Sequence, residues 1–320
     1  MESQGDNKCC PSQLRYDEAS RDWVVVAPGR GKRPEAFRRP RMKSGIDPKD
    51  CIFCTMKGQL APVLVLAGGK AAAAGTFPPD WTLAVIPNKF PAFCPPAGGK
   101  ICKKGEGPLY HSMDAAGFCE VVITRDHEKH IALMDEAQVK EIFDAYQSRY
   151  LDLKKNGFVK YISIFHNHGV EAGASQPHPH SQIITSPLVD VDLRHAIINA
   201  AIYFKRTQKC LACEMTAWER KAKARIVAEN RDFVASCPFA SKSAFQVIVA
   251  PKKHSPHFEK ITENQKKSLA RIFSDVMKKI YKGLEDPPYN FYLHTAPSDG
   301  MDYQFYHLSL IHISEPTRPY

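Results

Sequence analysis

The sequence predicts an α+β protein in which one structural unit is written twice. Three observations carry this. A Cys-x-x-Cys pair opens each half, at Cys51/Cys54 and at Cys210/Cys213. An apolar β-branched run, a histidine pair and an amphipathic helix then follow in the same order in both halves. The separations also agree: Phe118 to His127 and Phe245 to His254 are both nine residues, while His127 to His178 is 51 and His254 to His307 is 53. Order and spacing repeated over so long a stretch mark an internal duplication.

Each element has a local reason. Val121-Val122-Ile123 and Val247-Ile248-Val249 are short β-branched runs, the signature of buried strands. Val139, Ile142, Phe143, Tyr146 and Tyr150 fall at offsets 0, 3, 4, 7 and 11, as do Leu269, Ile272, Phe273, Val276 and Ile280. That is the apolar stripe of a helix facing a core. Asp135 with Gln138, and Thr262 with Gln265, read as capping boxes at the two helix starts. Gly283 is the expected stop of the second helix. Strands are expected at 159–165 and 289–294, and a linking helix at 188–206. Strands and helices mixed in this way give an α+β fold.

The composition is that of a globular chain: 320 residues, 43% hydrophobic and 24% charged. No apolar run is long enough to span a bilayer, and the first residues lack the basic and apolar regions of a secretory signal. A cytoplasmic location without membrane attachment is expected. The 44 basic and 34 acidic residues leave a net charge of +10, which favours anionic partners. The cations are scattered and not gathered in one block, so a nucleic-acid partner is not expected.

Ten cysteines include the two close pairs. In a reducing compartment such pairs, accompanied by histidines, read as metal sites rather than disulfides. The expected zinc ligands are Cys51, Cys54, His127 and His178 in the first half, and Cys210, Cys213, His254 and His307 in the second. Within each His-x-x-His pair, spacing leaves His130 and His257 as alternatives. Four protein ligands would make each zinc structural. The other cysteines, Cys9, Cys10, Cys94, Cys102, Cys119 and Cys237, read as packing residues or idle thiols.

The densest chemistry lies in Ser175-Gln-Pro-His178-Pro-His180-Ser-Gln182. Ile183-Ile184-Thr185 extends it as a strand, on which His178, His180 and Gln182 share a face. Small residues upstream (Asn167-His168-Gly169, Gly173-Ala174-Ser175) allow backbone N–H groups and a hydroxyl to approach a phosphate. A neutral imidazole is a competent nucleophile toward phosphorus. His180 is the expected nucleophile, and Gln182 a non-titrating donor to the phosphate oxygens.

These segments resemble the galactose-1-phosphate uridylyltransferase family of the histidine triad superfamily, which includes the related ADP-glucose phosphorylases. The resemblance covers about residues 13–307. It rests on residues 21–34 (RDWVVVAPGRGKRP), Cys51-Ile-Phe-Cys54, Pro87-Asn-Lys-Phe-Pro-Ala92, Arg125-Asp-His127, Asn167 to Gln182, and Tyr306-His307. It implies duplicated histidine-triad-like half-barrels, antiparallel sheets with helices packed outside, and a homodimer. It also implies ping-pong transfer of UMP from UDP-glucose through a covalent uridylyl-His180 to galactose 1-phosphate, releasing UDP-galactose. Arg30, Arg33, Asn88, Asn167, Gly173, Ser175 and Gln182 would hold the nucleotide and its phosphates. Gln182 stands where histidine triad hydrolases carry a third histidine, which fits a transferase.

The chain departs from the family at two places. Lys89 stands where members often have an acidic residue, which bears on sugar or base recognition. The C-terminal LSLIHISEPTRPY reads as a translated sequencing adapter, so the native sequence is expected to end at about His307 and His312 is assigned no role. The domain division is accordingly 1–12 as a disordered N-terminus, 13–187 as the domain bearing His180, 188–307 as a truncated second domain, and 308–320 as foreign. The family continues beyond His307 with an aromatic-His strand, so poor activity of the chain as written is a further expectation. The rival functions are adenylyl transfer from ADP-glucose to phosphate, an inactive homologue, and, in a different class, a zinc-stabilised nucleic-acid-binding module.

Overall fold

A computed structural model describes residues 12–18, 22–27, 46–73 and 75–307, together with the backbone of 309–314. Two antiparallel sheets form the frame. The larger has eleven strands, five of which belong to the second half of the chain. From its first edge these are β11 (Ile226–Glu229), β12 (Phe233–Ser236), β13 (Val247–Pro251), β15 (Ser309–Ser314) and β14 (Tyr289–His294). The first half continues the same sheet with β9 (Tyr161–His168), β10 (His180–Ser186), β8 (Cys119–Thr124), β5 (Leu83–Pro87), β3 (Leu64–Ala67) and β4 (Lys70–Ala71). The two repeats therefore meet at one antiparallel pairing, β9 with β14, in which Tyr289 faces His168 and Phe291 faces His166. The expected half-barrels are joined edge to edge as one continuous sheet.

The smaller sheet, in the order β2 (Asp22–Val26), β1 (Gln13–Asp17), β7 (Tyr110–Asp114) and β6 (Lys103–Glu106), was not anticipated. Its strands are largely exposed and one edge carries Lys103 and Lys104, so the apolar pattern that reveals a buried strand is weak there.

The two long helices, α1 (Glu136–Leu153) and α4 (Glu263–Leu284), lie side by side on one face of the large sheet. Both carry the predicted capping boxes, Asp135 with Gln138 and Thr262 with Gln265. Every stripe residue of α1 is buried, as are Leu269, Ile272, Phe273 and Val276 of α4, while Ile280 is half-buried. Phe143 and Phe273 meet edge to face at 5.6 Å across the pseudo-symmetric contact. The helix stop differs from expectation: Gly283 lies in the last turn, and Glu285 takes the left-handed cap at φ 56°. The tight turn into Asp286-Pro287-Pro288 fixes where the helix ends.

The linking segment is also richer than expected. It contains α2 (Val191–Thr207), capped by Asp190, and then α3 (Leu211–Ala222), which starts immediately after Cys210. The second Cys-x-x-Cys thus wraps the first turn of a helix. Strand β15, from the tail expected to be foreign, fills the slot between β13 and β14 through backbone pairing. Main-chain hydrogen bonds depend little on which side chains an extended segment carries.

One buried ion pair ties α1 to the sheet beneath it. Glu120 of β8 accepts from Arg149 Nε at 2.9 Å and from Nη2 at 2.7 Å. Both residues are under a tenth exposed. Arg149 also donates Nη1 to the half-exposed Asp152 at 2.9 Å, but removing Glu120 leaves the buried Nε and Nη2 without an acceptor, a loss that for a buried pair costs roughly 3–5 kcal/mol. Glu120→Ala is expected to lower the urea-derived stability by about that amount. Thr262→Ala, which removes only a cap, is expected to cost about 1 kcal/mol. Equal effects of the two substitutions would contradict the assignment of Glu120–Arg149 as the buried tie.

Candidate active site and metal centres

Strand β10 is held rigidly from behind. Tyr146 of α1 donates its hydroxyl to Ser181 Oγ at 2.6 Å, and Ser181 passes its own hydrogen to His166 Nδ1 at 3.0 Å. Ser181 and His166 are cross-strand partners on the helix-facing side. The alternation of β10 then sends His180 and Gln182 to the opposite face. Both line a cleft of about 100 Å³ with Ser175, Gln176, Asn88, Lys89, Phe90, Phe53 and Gln59.

His180 is oriented by its own chain. Its Nδ1–H donates to the carbonyl of His178 at 2.9 Å, so Nε2 is the nitrogen that keeps a free lone pair. The Phe53 ring packs on His180 at 5.3 Å and on His178 at 5.7 Å, so both imidazoles lie on one side of the strand, as the alternation predicts. Burial lowers the His180 pKa from its ordinary value, against a smaller opposing effect of the bond to the His178 carbonyl. The ring is therefore neutral and nucleophilic at neutral pH.

The first predicted metal cluster is assembled. Cys51 Sγ lies 3.6 Å from His178 Nδ1, and Cys54 Sγ lies 3.4 Å from the same atom and 3.2 Å from His127 Nδ1. The two Nδ1 atoms are 3.3 Å apart. Zinc bonds of about 2.3 Å to sulfur and about 2.0–2.1 Å to nitrogen place the corners of a tetrahedron roughly 3.3–3.8 Å apart. The donor set therefore fits one ion of that kind. His178 Nε2–H donates to the Thr124 carbonyl at 2.7 Å, which fixes the tautomer and turns the Nδ1 lone pair into the cluster. Burial pushes the Cys54 thiol up to about 11, so a thiolate there needs a cation beside it. Of the pair His127 and His130, geometry selects His127.

The second half repeats only part of this. Cys210, Cys213 and His254 converge, with Cys213 Sγ 3.3 Å from His254 Nδ1. His307 keeps the anchor of its counterpart: its Nε2–H donates to the Pro251 carbonyl at 2.8 Å, as His178 does to Thr124. Its Nδ1, however, accepts the Ser255 N–H at 3.0 Å and is not among the converging atoms. The structure brings three of the four predicted ligands together here, and His254 rather than His257 is the one used from its pair. Hydrogen bonding by Cys213 holds the Cys210 thiol down to about 5, so the pair shares one proton.

The remaining predicted residues fall as follows. Asn167, next to last in β9, continues the β9–β10 register to a place opposite His180. It lines a neighbouring, larger cleft of about 750 Å³ on the same face of the sheet. Gly173, at φ 84°, lies with its Cα side against the Asn167 amide, where an added Cβ would sit 3.7 Å from Nδ2. Asn88 uses Oδ1 to accept the Phe90 N–H at 2.9 Å, shaping the turn beside the cleft. Arg30 and Arg33 lie outside the described residues. Sequence reasoning missed Phe53 and Gln59 as cleft residues. Phe53, placed between two metal ligands, gave that signal once the Cys-x-x-Cys was located.

Comparison with known proteins agrees with this geometry. Residues 2–190 match the galactose-1-phosphate uridyl transferase N-terminal domain, and 198–317 its C-terminal domain. An Arabidopsis thaliana protein named ADP-glucose phosphorylase is 31% identical, with 89% of this chain and 78% of that protein covered. A Thermotoga maritima galactose-1-phosphate uridylyltransferase is 28% identical, covering 96% and 87%. Among solved structures, the Arabidopsis ADP-glucose phosphorylase with bound ADP-glucose superposes with a TM-score of 0.71 at 28% identity, covering 96% of this chain and 90% of that one. A uridylyltransferase structure superposes at 0.74 and 26%, covering 95% and 87%. The chain is a nucleotidyltransferase of the galactose-1-phosphate uridyl transferase family.

Proposed function

We propose that the protein transfers UMP from UDP-glucose to galactose 1-phosphate through a covalent intermediate on His180. The observation that carries this reading is the Nδ1–H bond of His180 to the His178 carbonyl, which leaves Nε2 as the free nitrogen at a cleft lined by Ser175, Gln182 and Lys89. In the first half-reaction Nε2 attacks the α-phosphorus. A phosphorus–nitrogen bond forms, and the bond to the bridging oxygen breaks to release glucose 1-phosphate. In the second, a phosphate oxygen of galactose 1-phosphate attacks the same phosphorus and the imidazole leaves.

No proton has to move through a strong base, because the attacking imidazole is neutral and the leaving group is a phosphate. Catalysis then rests on position and on charge at the phosphoryl oxygens. Gln182, Ser175 and Lys89, which line the cleft, are the donors proposed for this. The larger cleft beyond Asn167 has room for the remainder of a nucleotide sugar. The ion proposed for the first cluster is zinc, held by Cys51, Cys54, His127 and His178 and serving structure. Bound there, it would fix the loop that presses Phe53 onto His180. Cys210, Cys213 and His254 are proposed for a second zinc, with His307 as the fourth ligand once it turns from Ser255.

A second reading is adenylyl transfer from ADP-glucose to inorganic phosphate. The Arabidopsis similarity favours it, as does Lys89, an added cation at a cleft that would receive free phosphate. A homodimer is also proposed, supported by exposed apolar residues Ile198, Ile202, Met215 and Trp218 on α2 and α3. Sedimentation should return twice the chain mass, and a chain-sized particle would rule pairing out.

Isotope exchange separates the readings. A ping-pong uridylyltransferase moves labelled glucose 1-phosphate into UDP-glucose with no second sugar present, and His180→Ala abolishes the exchange. Exchange with ADP-glucose alone would replace the first reading by the second, and no exchange with either would remove both. Gln182→Ala is expected to slow the exchange by roughly 10²–10³-fold, the usual effect of losing one preorganised donor. Metal analysis should find zinc, and Cys54→Ser should lose one ion per chain. Equal zinc in the variant would contradict the ligand assignment.

A further inference from the structure

A third group of metal-binding side chains lies apart from both cysteine clusters, where the two halves of the chain join. His130 follows β8 and precedes α1. His168 ends β9. Asp286 sits in the turn between α4 and β14. Potential ligand atoms of all three lie within 4.8 Å of one another. One carboxylate oxygen, Asp286 Oδ1, stands 3.0 Å from His168 Nε2 and 3.5 Å from His130 Nε2.

The surroundings hold this arrangement in place. His130 and His168 face each other at 4.6 Å, and the outer faces are covered by Tyr281 at 5.2 Å from His130 and Tyr289 at 4.9 Å from His168. Gly169, at φ 85°, allows the end of β9 to close on the turn: an added Cβ would lie 2.8 Å from Pro288 Cβ. His130 is buried, and its Nδ1 has no hydrogen-bond partner. Asp286 is about half exposed, which gives an ion a path from solvent.

We propose that His130, His168 and Asp286 bind a divalent ion of the zinc, cobalt or nickel type at the seam between the two repeats. Two imidazoles and one carboxylate suit such ions, and three protein ligands leave a coordination position for water. The ion would bridge the halves, since His130 and His168 come from the first and Asp286 from the second. This site shares no residue with the cysteine clusters and does not depend on the transfer reaction.

Cobalt distinguishes it. The full-length protein is titrated with Co²⁺ while its absorption and bound metal are followed. Cobalt at the cysteine clusters gives thiolate charge-transfer bands in the near ultraviolet; cobalt at the seam gives only ligand-field bands. The expected result is one bound Co²⁺ per chain that adds no thiolate band. His168→Gln and Asp286→Asn, both at partly exposed positions, should each lose that one ion and leave the thiolate bands unchanged. Excess Zn²⁺ should raise the melting temperature of the unsubstituted protein further than that of Asp286→Asn. The proposal is overturned if every bound cobalt contributes to the thiolate bands, or if the variants bind as many ions as the unsubstituted chain.

Discussion

His178 is the point on which the site depends. Its Nε2–H is tied to the Thr124 carbonyl, its Nδ1 faces Cys51, Cys54 and His127, and its own carbonyl accepts the Nδ1–H of His180. Ring and backbone of one residue thus join the candidate metal cluster to His180, the proposed nucleophile. A shift of His178 would turn His180 and exchange the tautomer that leaves Nε2 free. The Pro177 and Pro179 on either side limit the backbone freedom through which such a shift could occur. Phe53 adds a second link, since it lies between Cys51 and Cys54 and packs on both imidazoles.

The same frame is present in the second half. His307 repeats the backbone anchor of His178, to Pro251 where the first half uses Thr124. The duplicated half contributes strands of the large sheet, helix α4 and the β14 edge, while His180, the proposed nucleophile, belongs to the first. Packing explains why both halves persist. Helices α1 and α4 bury their stripes in one shared core, and neither half-sheet closes its edge without the β9–β14 pairing.

Much of this was legible in the sequence, for identifiable reasons. Capping boxes, helix stripes and β-branched runs are local signals, and Asp135, Thr262, Val121 and Val247 behave as those signals require. The first metal cluster was legible because each ligand has a repeated counterpart. What escaped were long-range facts. The small sheet lacks an apolar rhythm. The use of the His307 Nδ1 by Ser255 depends on loop geometry that spacing does not encode. The seam of His130, His168 and Asp286 joins residues up to 156 positions apart, and no local pattern announces it. His130 was legible only as an alternative ligand for the first cluster. The positive charge, read as a preference for anions, is consistent with the proposed phosphate site at the cleft that Lys89 lines.

The central claim is that His180 carries the nucleotidyl group on a nitrogen selected by its bond to the His178 carbonyl. Quenching the protein with UDP-glucose and no acceptor, then mapping the adduct by peptide mass spectrometry, tests it directly. The account predicts a single UMP mass increment on the peptide containing His180, and none in His180→Ala. An increment on another residue, or turnover with no protein-bound nucleotide, would contradict it.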